Sequence, residues 1–170
     1  MRTRITLTAL VLIGASIATP GLAPAGQQTK YGVSVKESRP AALANVKTYR
    51  WTETHPSFDK TIDAQIIVAV DRELQARGLR KLATGPCDLL VTYSSLSRTD
   101  VDLKSPAALG ESSELAVGTL IVDLRDPSNR SSLFRVRMDT PIETDRARLE
   151  AIINAGVAAM FEKYPRAAAR

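Results

Sequence analysis

The residues that could do chemistry in this chain are few and far apart. His55 is the only histidine and Cys87 the only cysteine, so Ser-His-Asp and Cys-His catalysis would both have to run through His55. It stands between Thr54 and Pro56 in a segment of loop composition, and the chain has no G-x-S-x-G elbow. A solvated loop histidine is the simpler reading. One His and one Cys at distant positions also fall short of the three or four ligands that a zinc site needs. Paired carboxylates for glycoside hydrolysis would be drawn from Asp88, Asp100, Asp102, Glu111, Glu114 and Asp123, whose separations a sequence does not measure. Gly118 stands alone, outside any Walker or dinucleotide pattern. No catalytic, cofactor-binding or metal-ligating residue is assigned, and no cofactor is expected.

Five residues remain as candidate contacts for a ligand or partner: Arg125, Arg135, Arg137, Trp51 and Tyr93. Arg135 and Arg137 alternate with Phe134, Val136 and Met138, so they point away from whatever those three bury. There they pair with Asp123 or Asp139 across a hairpin, or they meet Arg125 at an open groove where an anionic ligand could dock. Trp51 and Tyr93, like Tyr49, are read more simply as core aromatics on helix-covered strands. Cys87 follows Gly85-Pro86 and precedes apolar Leu89, the place for a small half-buried residue where a turn enters a strand. Its functional alternative is an intermolecular disulfide, because a single cysteine cannot close an internal one.

These side chains must be held by elements, and the clearest is a β-hairpin. Leu120, Val122 and Leu124 recur at period two on one arm and Phe134, Val136 and Met138 on the other, with Asp126-Pro127-Ser128-Asn129-Arg130 between them. Tyr31–Val35, 46–52 (with Tyr49 and Trp51 inward), a short stretch at 78–83 and 88–98 read as further strands. The unbroken Leu89-Leu90-Val91 run marks the last as central. A helix is expected from about 58 to 77, with Ser57 as N-cap, Ile62, Ile66, Ala69, Val70 and Leu74 as its stripe, and Gly78 beyond its end. A second is expected from 145 to 164, with Thr144 as N-cap and Pro165 as terminator. The polar stretch from Thr99 to Glu114 reads as a long connection. Together these give an α+β fold: a mostly antiparallel sheet of five or six strands with two main helices packed on one face.

Composition sets the wider frame. The chain has 170 residues, 44% of them hydrophobic, and its first 25 read as an export signal. Arg2 and Arg4 form the basic region, Ile5–Ile13 the apolar one, and Ala23-Pro24-Ala25 the small residues before a cut, with Ala18 as the alternative. Residues 26–165 would form a single domain and 166–170 a basic tail. Loss of Arg2 and Arg4 lowers the formal charge from +5 to +3, and the remaining basic residues are interleaved with acids, so nucleic acid is not an expected partner. No later run is long enough to span a bilayer, so no stable membrane insertion is expected after cleavage.

Several segments, in order, resemble one family. Lys47-Thr48-Tyr49-Arg50-Trp51 is similar to its K-T-Y-x-W strand, and Gly78-Leu79 with Asp88-Leu89-Leu90-Val91 to its G-[YF] and D-L-L-V segments. Gly118 to Leu124, Phe134-Arg135 and the closing Tyr164-Pro165 complete the series. Over residues 31 to 165 the chain thus resembles the bacterial envelope-protein family catalogued as domain of unknown function 4136. The resemblance implies an exported α+β domain, commonly a lipoprotein, with no established activity. This chain lacks a cysteine at the signal cleavage point, and its 99–114 stretch is polar where many members carry a Gly- and aromatic-rich insert. The expected function is a non-enzymatic binding or scaffolding protein in the periplasm, acting on an envelope protein or small ligand. The alternatives are an envelope hydrolase using carboxylates and a small-molecule or lipid binder with a pocket between sheet and helices.

Overall fold

The computed structural model describes residues 32–57, 59–101 and 114–165. Residues 1–25, read above as an export signal, residues 102–113 and residues 166–170 lie outside that range. Six strands form one mixed sheet in the order β1-β6-β5-β4-β2-β3: β1 Gly32–Ser38, β2 Thr48–Trp51, β3 Arg80–Lys81, β4 Leu89–Val101, β5 Glu114–Arg125 and β6 Ser132–Pro141. β1, β6, β5 and β4 pair antiparallel, whereas β2 runs parallel to both β4 and β3. Parallel neighbours need a crossover, and the helix after β2 supplies it. Three helices accompany the sheet: α1 Pro40–Leu43, α2 Lys60–Ala76 and α3 Arg146–Glu162.

Period-two alternation divides the sheet into two faces. Tyr49, Leu89, Val91, Tyr93, Leu120, Val122, Leu124, Phe134 and Val136 are buried in one core with Ile66, Val70 and Leu74 of α2 and with Ile153, Val157, Met160 and Phe161 of α3. Both main helices therefore cover the same face. α2 stops as its sequence dictates: Gly78 takes a left-handed φ of 82°, and Leu79 N–H donates to the Leu74 carbonyl at 3.1 Å, a Schellman closure. Gly156 has the opposite task. A β-carbon there would collide with the side chain of Met138, so its bareness lets α3 lie close on β6.

Two helix starts differ from expectation. Asp59, not Ser57, caps α2 by accepting from Thr61 N–H, and Asp145, not Thr144, caps α3 by accepting from Arg148 N–H. A carboxylate at the cap satisfies a free N–H and also meets the positive end of the helix. Ser57 N–H instead donates to Asp63 Oδ1. The sequence pattern dissolves at Thr99, yet backbone pairing carries β4 to Val101 opposite Glu114 of β5, because a ladder needs no apolar alternation.

Candidate functional site

The two longest strands, β4 and β5, outrun the helices. β4 has 13 residues and spans about 43 Å at some 3.3 Å per residue, while the 17 residues of α2 or α3 reach about 26 Å. Both helices begin beside the distal half of the β4–β5 hairpin, since α2 follows the His55–Ser94 bridge and α3 follows Pro141, which faces Val117. Among the described residues, no helix lies over the sheet beyond those starts.

A groove of about 480 Å³ lies at this open end. Leu120 and Met138 form its floor, Ile62 and Ile66 of α2 one wall, and Leu149, Ile152 and Ile153 of α3 the other. Ser95 stands opposite Leu120 in the floor; Ser57, Ser97 and Thr140 also line the groove, as do Leu96 and Ile142, 56% and 40% exposed. Asp59, at the mouth, has its carboxyl held below the usual range by the hydrogen bond from Thr61 N–H. The size falls within that of small-molecule pockets, which combine apolar walls with a few polar groups.

The arginines expected to point outward do so. Arg125 Nε donates to Asp123 Oδ2 at 2.7 Å and Arg135 Nη2 to the same oxygen at 2.6 Å, while Ser132 Oγ donates to Oδ1 at 2.6 Å. Arg125 and Arg135 thus meet on Asp123, and Arg135 takes one of the acid partners that a charged outer face would give it. Arg137 is held apart in a second cluster, where it and Arg98 donate to Asp139. Burial of Asp123 would raise its pKa, but the bonds from Arg135, Ser132 and Arg125 outweigh it and hold the carboxyl low. Arg137 does the same for Asp139, helped by Thr119 and Arg98.

Trp51 and Tyr93 lie on the helix side, edge to face at 6.0 Å. Trp51 Nε1 and Tyr49 OH both donate to Asp71 Oδ1, and Tyr93 OH donates to Asp63 Oδ1, so these aromatics fasten β2 and β4 to α2. Burial and the acid partner push both tyrosines upward. Asp88 accepts from the Lys47 and Thr48 N–H groups and from Thr48 Oγ1, which locks the start of β2 beside β4. The side chains of Asp100, Asp102, Glu111 and Glu114 lie outside the described set. His55 is exposed, and Cys87 is half-buried with a free thiol.

Sequence reasoning placed Ile62, Ile66, Leu120, Met138, Leu149, Ile152 and Ile153 in the core without seeing that they also line a groove. Among the described residues no three His, Cys, Asp or Glu side chains gather to hold a metal ion, and no helix is long and apolar enough to cross a membrane.

Order, pairing and helix placement define a two-layer α+β domain on a mixed six-stranded sheet. The chain belongs to the DUF4136 family, a domain of unknown function, whose model matches residues 33–166. No curated protein matches it. Among solved structures, the PelC L103M dodecamer from Paraburkholderia phytofirmans is 12% identical with a TM-score of 0.51, and the match covers 75% of this chain and 92% of that one. A second PelC dodecamer from the same organism is 14% identical with a TM-score of 0.50, covering 75% and 94%. A minor lipoprotein from Acinetobacter baumannii is 12% identical with a TM-score of 0.44, covering 69% and 91%. At these identities the two PelC matches speak for the fold alone.

Proposed function

We propose that this protein is an exported, non-enzymatic binding domain of the cell envelope, and that the groove at the open end of its sheet takes an apolar chain, an acyl tail or a similar aliphatic group. The observation that carries the reading is the groove itself: about 480 Å³ with aliphatic residues contributed by both helices and the sheet, and a few hydroxyl-bearing residues, Ser57, Ser95, Ser97 and Thr140, among its lining. Burial of an aliphatic chain there gains roughly 0.8 kcal/mol per methylene, and the hydroxyls can hydrogen-bond a polar head. Family membership and the export-like sequence of residues 1–25 support the envelope setting. The perturbed carboxyls described in the site, Asp59, Asp88, Asp123 and Asp139, all shift downward. They stay anionic, each held by hydrogen bonds, the opposite of what a proton-donating acid requires.

Titration of the purified protein with a dansyl-labelled long-chain fatty acid tests the reading. Saturable binding is expected, and Ile152→Trp, which fills the groove without adding charge, should abolish it while leaving the far-ultraviolet circular dichroism unchanged. Failure of the wild type to saturate, or unchanged binding by the tryptophan variant, would refute the groove as the site. Export is tested separately by sequencing the N-terminus of protein recovered from the periplasm, where Gly26 is expected first, or Thr19 with the earlier cut.

A further inference from the structure

The face of the sheet turned away from both helices carries a second concavity, of about 320 Å³, lined by Arg125, Arg130 and Arg135 together with Thr92, Ser94, Asp123, Glu53 and His55. Three features mark it. First, Asp123 is only 3% exposed and grips Arg125 through Nε and Arg135 through one Nη, at 2.7 and 2.6 Å. The remaining guanidinium N–H groups are left to face solvent, and the two side chains are 36% and 41% exposed. A buried carboxylate that holds two guanidiniums by one edge each pre-orients them, so a ligand would not have to order them. Second, Arg130 sits in the hairpin turn at a φ of 59°, a conformation that glycine or asparagine adopts at less cost. An arginine there places a third guanidinium at the rim, and backbone strain of this kind clusters at functional positions. Third, Arg50 lies on the same face, opposite Leu90, which is in turn opposite Arg125. Its Nε is buried without a hydrogen-bond partner, so positive charge continues past the concavity's edge.

We infer that this concavity binds a phosphate-bearing group, with Arg125, Arg130 and Arg135 as its donors. Guanidiniums approaching from three positions suit a tetrahedral oxyanion, and each offers the fork that phosphate oxygens accept in pairs. The volume suits a head group. The site opens on the opposite face from the apolar groove, sharing only His55 with it among the lining residues, and does not rest on that reading.

The test uses the purified protein and two probes: inorganic phosphate, followed by amide chemical shifts, and co-flotation with phosphatidylcholine vesicles with and without phosphatidylglycerol. Phosphate is expected to shift amides of residues 123–135 saturably. Arg130→Gly should weaken that binding about tenfold, the worth of one hydrogen bond to an ionised group, without lowering the unfolding midpoint, since glycine fits the turn better. Vesicle binding that requires phosphatidylglycerol and is displaced by inorganic phosphate identifies a lipid head group as the source. Phosphate binding without vesicle binding identifies a soluble phosphate ester. If neither probe binds saturably, or if the R130G protein binds as the wild type does, the inference is wrong.

Discussion

The two faces of the sheet are built from the same strands by the same alternation, yet they are held by different forces. On the covered face, Phe134 packs against Phe161 at 6.3 Å and Tyr164 at 5.5 Å between ring centroids, within a continuous core that both helices share. On the open face, one residue along from Phe134, Arg135 reaches across to Asp123 of β5. Apolar burial has no preferred direction and scales with area, whereas the arginine clusters are directional, partly solvated and open to screening. The covered face therefore supplies stability and the open face supplies orientation. The largest effect that separates them is Phe134→Ala, expected to cost about 3–5 kcal/mol in chemical denaturation as loss of a fully buried ring. A cost near 1 kcal/mol would mean that the core does not depend on this contact and would remove the contrast.

A sharper comparison lies within the open face. Removing Asp123 lets two exposed guanidiniums return to water, so Asp123→Ala should cost about 1 kcal/mol. Replacing both Arg125 and Arg135 with Gln instead strands a buried carboxylate with only Ser132 as a charge-stabilising donor, and about 2–3 kcal/mol should be lost. The order of the two matters more than either value. If the alanine variant unfolds more easily than the double glutamine variant, Asp123 contributes through packing and the arginines are not organised by it.

Much of this contrast was legible in the sequence. Leu120, Val122, Leu124, Phe134, Val136 and Met138 announce a buried face by period two alone, and Arg135 and Arg137 fall outward by the same count. The Schellman end of α2 was written in Gly78-Leu79. Partner choice was less legible, because register decides it: Asp123 stands opposite Arg135 and Thr119 opposite Asp139, and one residue of slip would reverse the faces. The fastening of Tyr49 and Trp51 to Asp71 and of Tyr93 to Asp63 depends on how α2 is rotated over the sheet, which its apolar stripe sets only to within a turn. Both helix caps moved because aspartate and Ser or Thr compete for the same place. The groove was least legible of all. It arises from a difference in length between strands and helices, so no residue type at any spacing encodes it.

The smallest expected effect, and the one most specific to the open face, is in acid. Arg137, with Thr119 and Arg98, holds the Asp139 carboxyl well below its ordinary value, and the unfolded chain restores that ordinary value, near 3.9. A carboxyl depressed in the folded state contributes its full stabilisation above the ordinary range and loses it as pH falls through that range toward the lower folded value. The wild-type Tm should therefore fall between about pH 5 and pH 2.5, and part of that fall belongs to Asp139. Asp139→Asn removes the titrating group: its Tm should be lower than wild type at pH 5 and decline less steeply below it, narrowing the gap by a few degrees. The effect is modest because Arg98 and Arg137 are 37% and 34% exposed, and added salt should shrink it further. Phe134→Ala is the control, since an apolar ring carries no proton and its Tm deficit should stay nearly constant across the same pH range. If the deficits of the two variants instead changed together as pH fell, the faces would be coupled, and the division between a stabilising face and an orienting one would not hold.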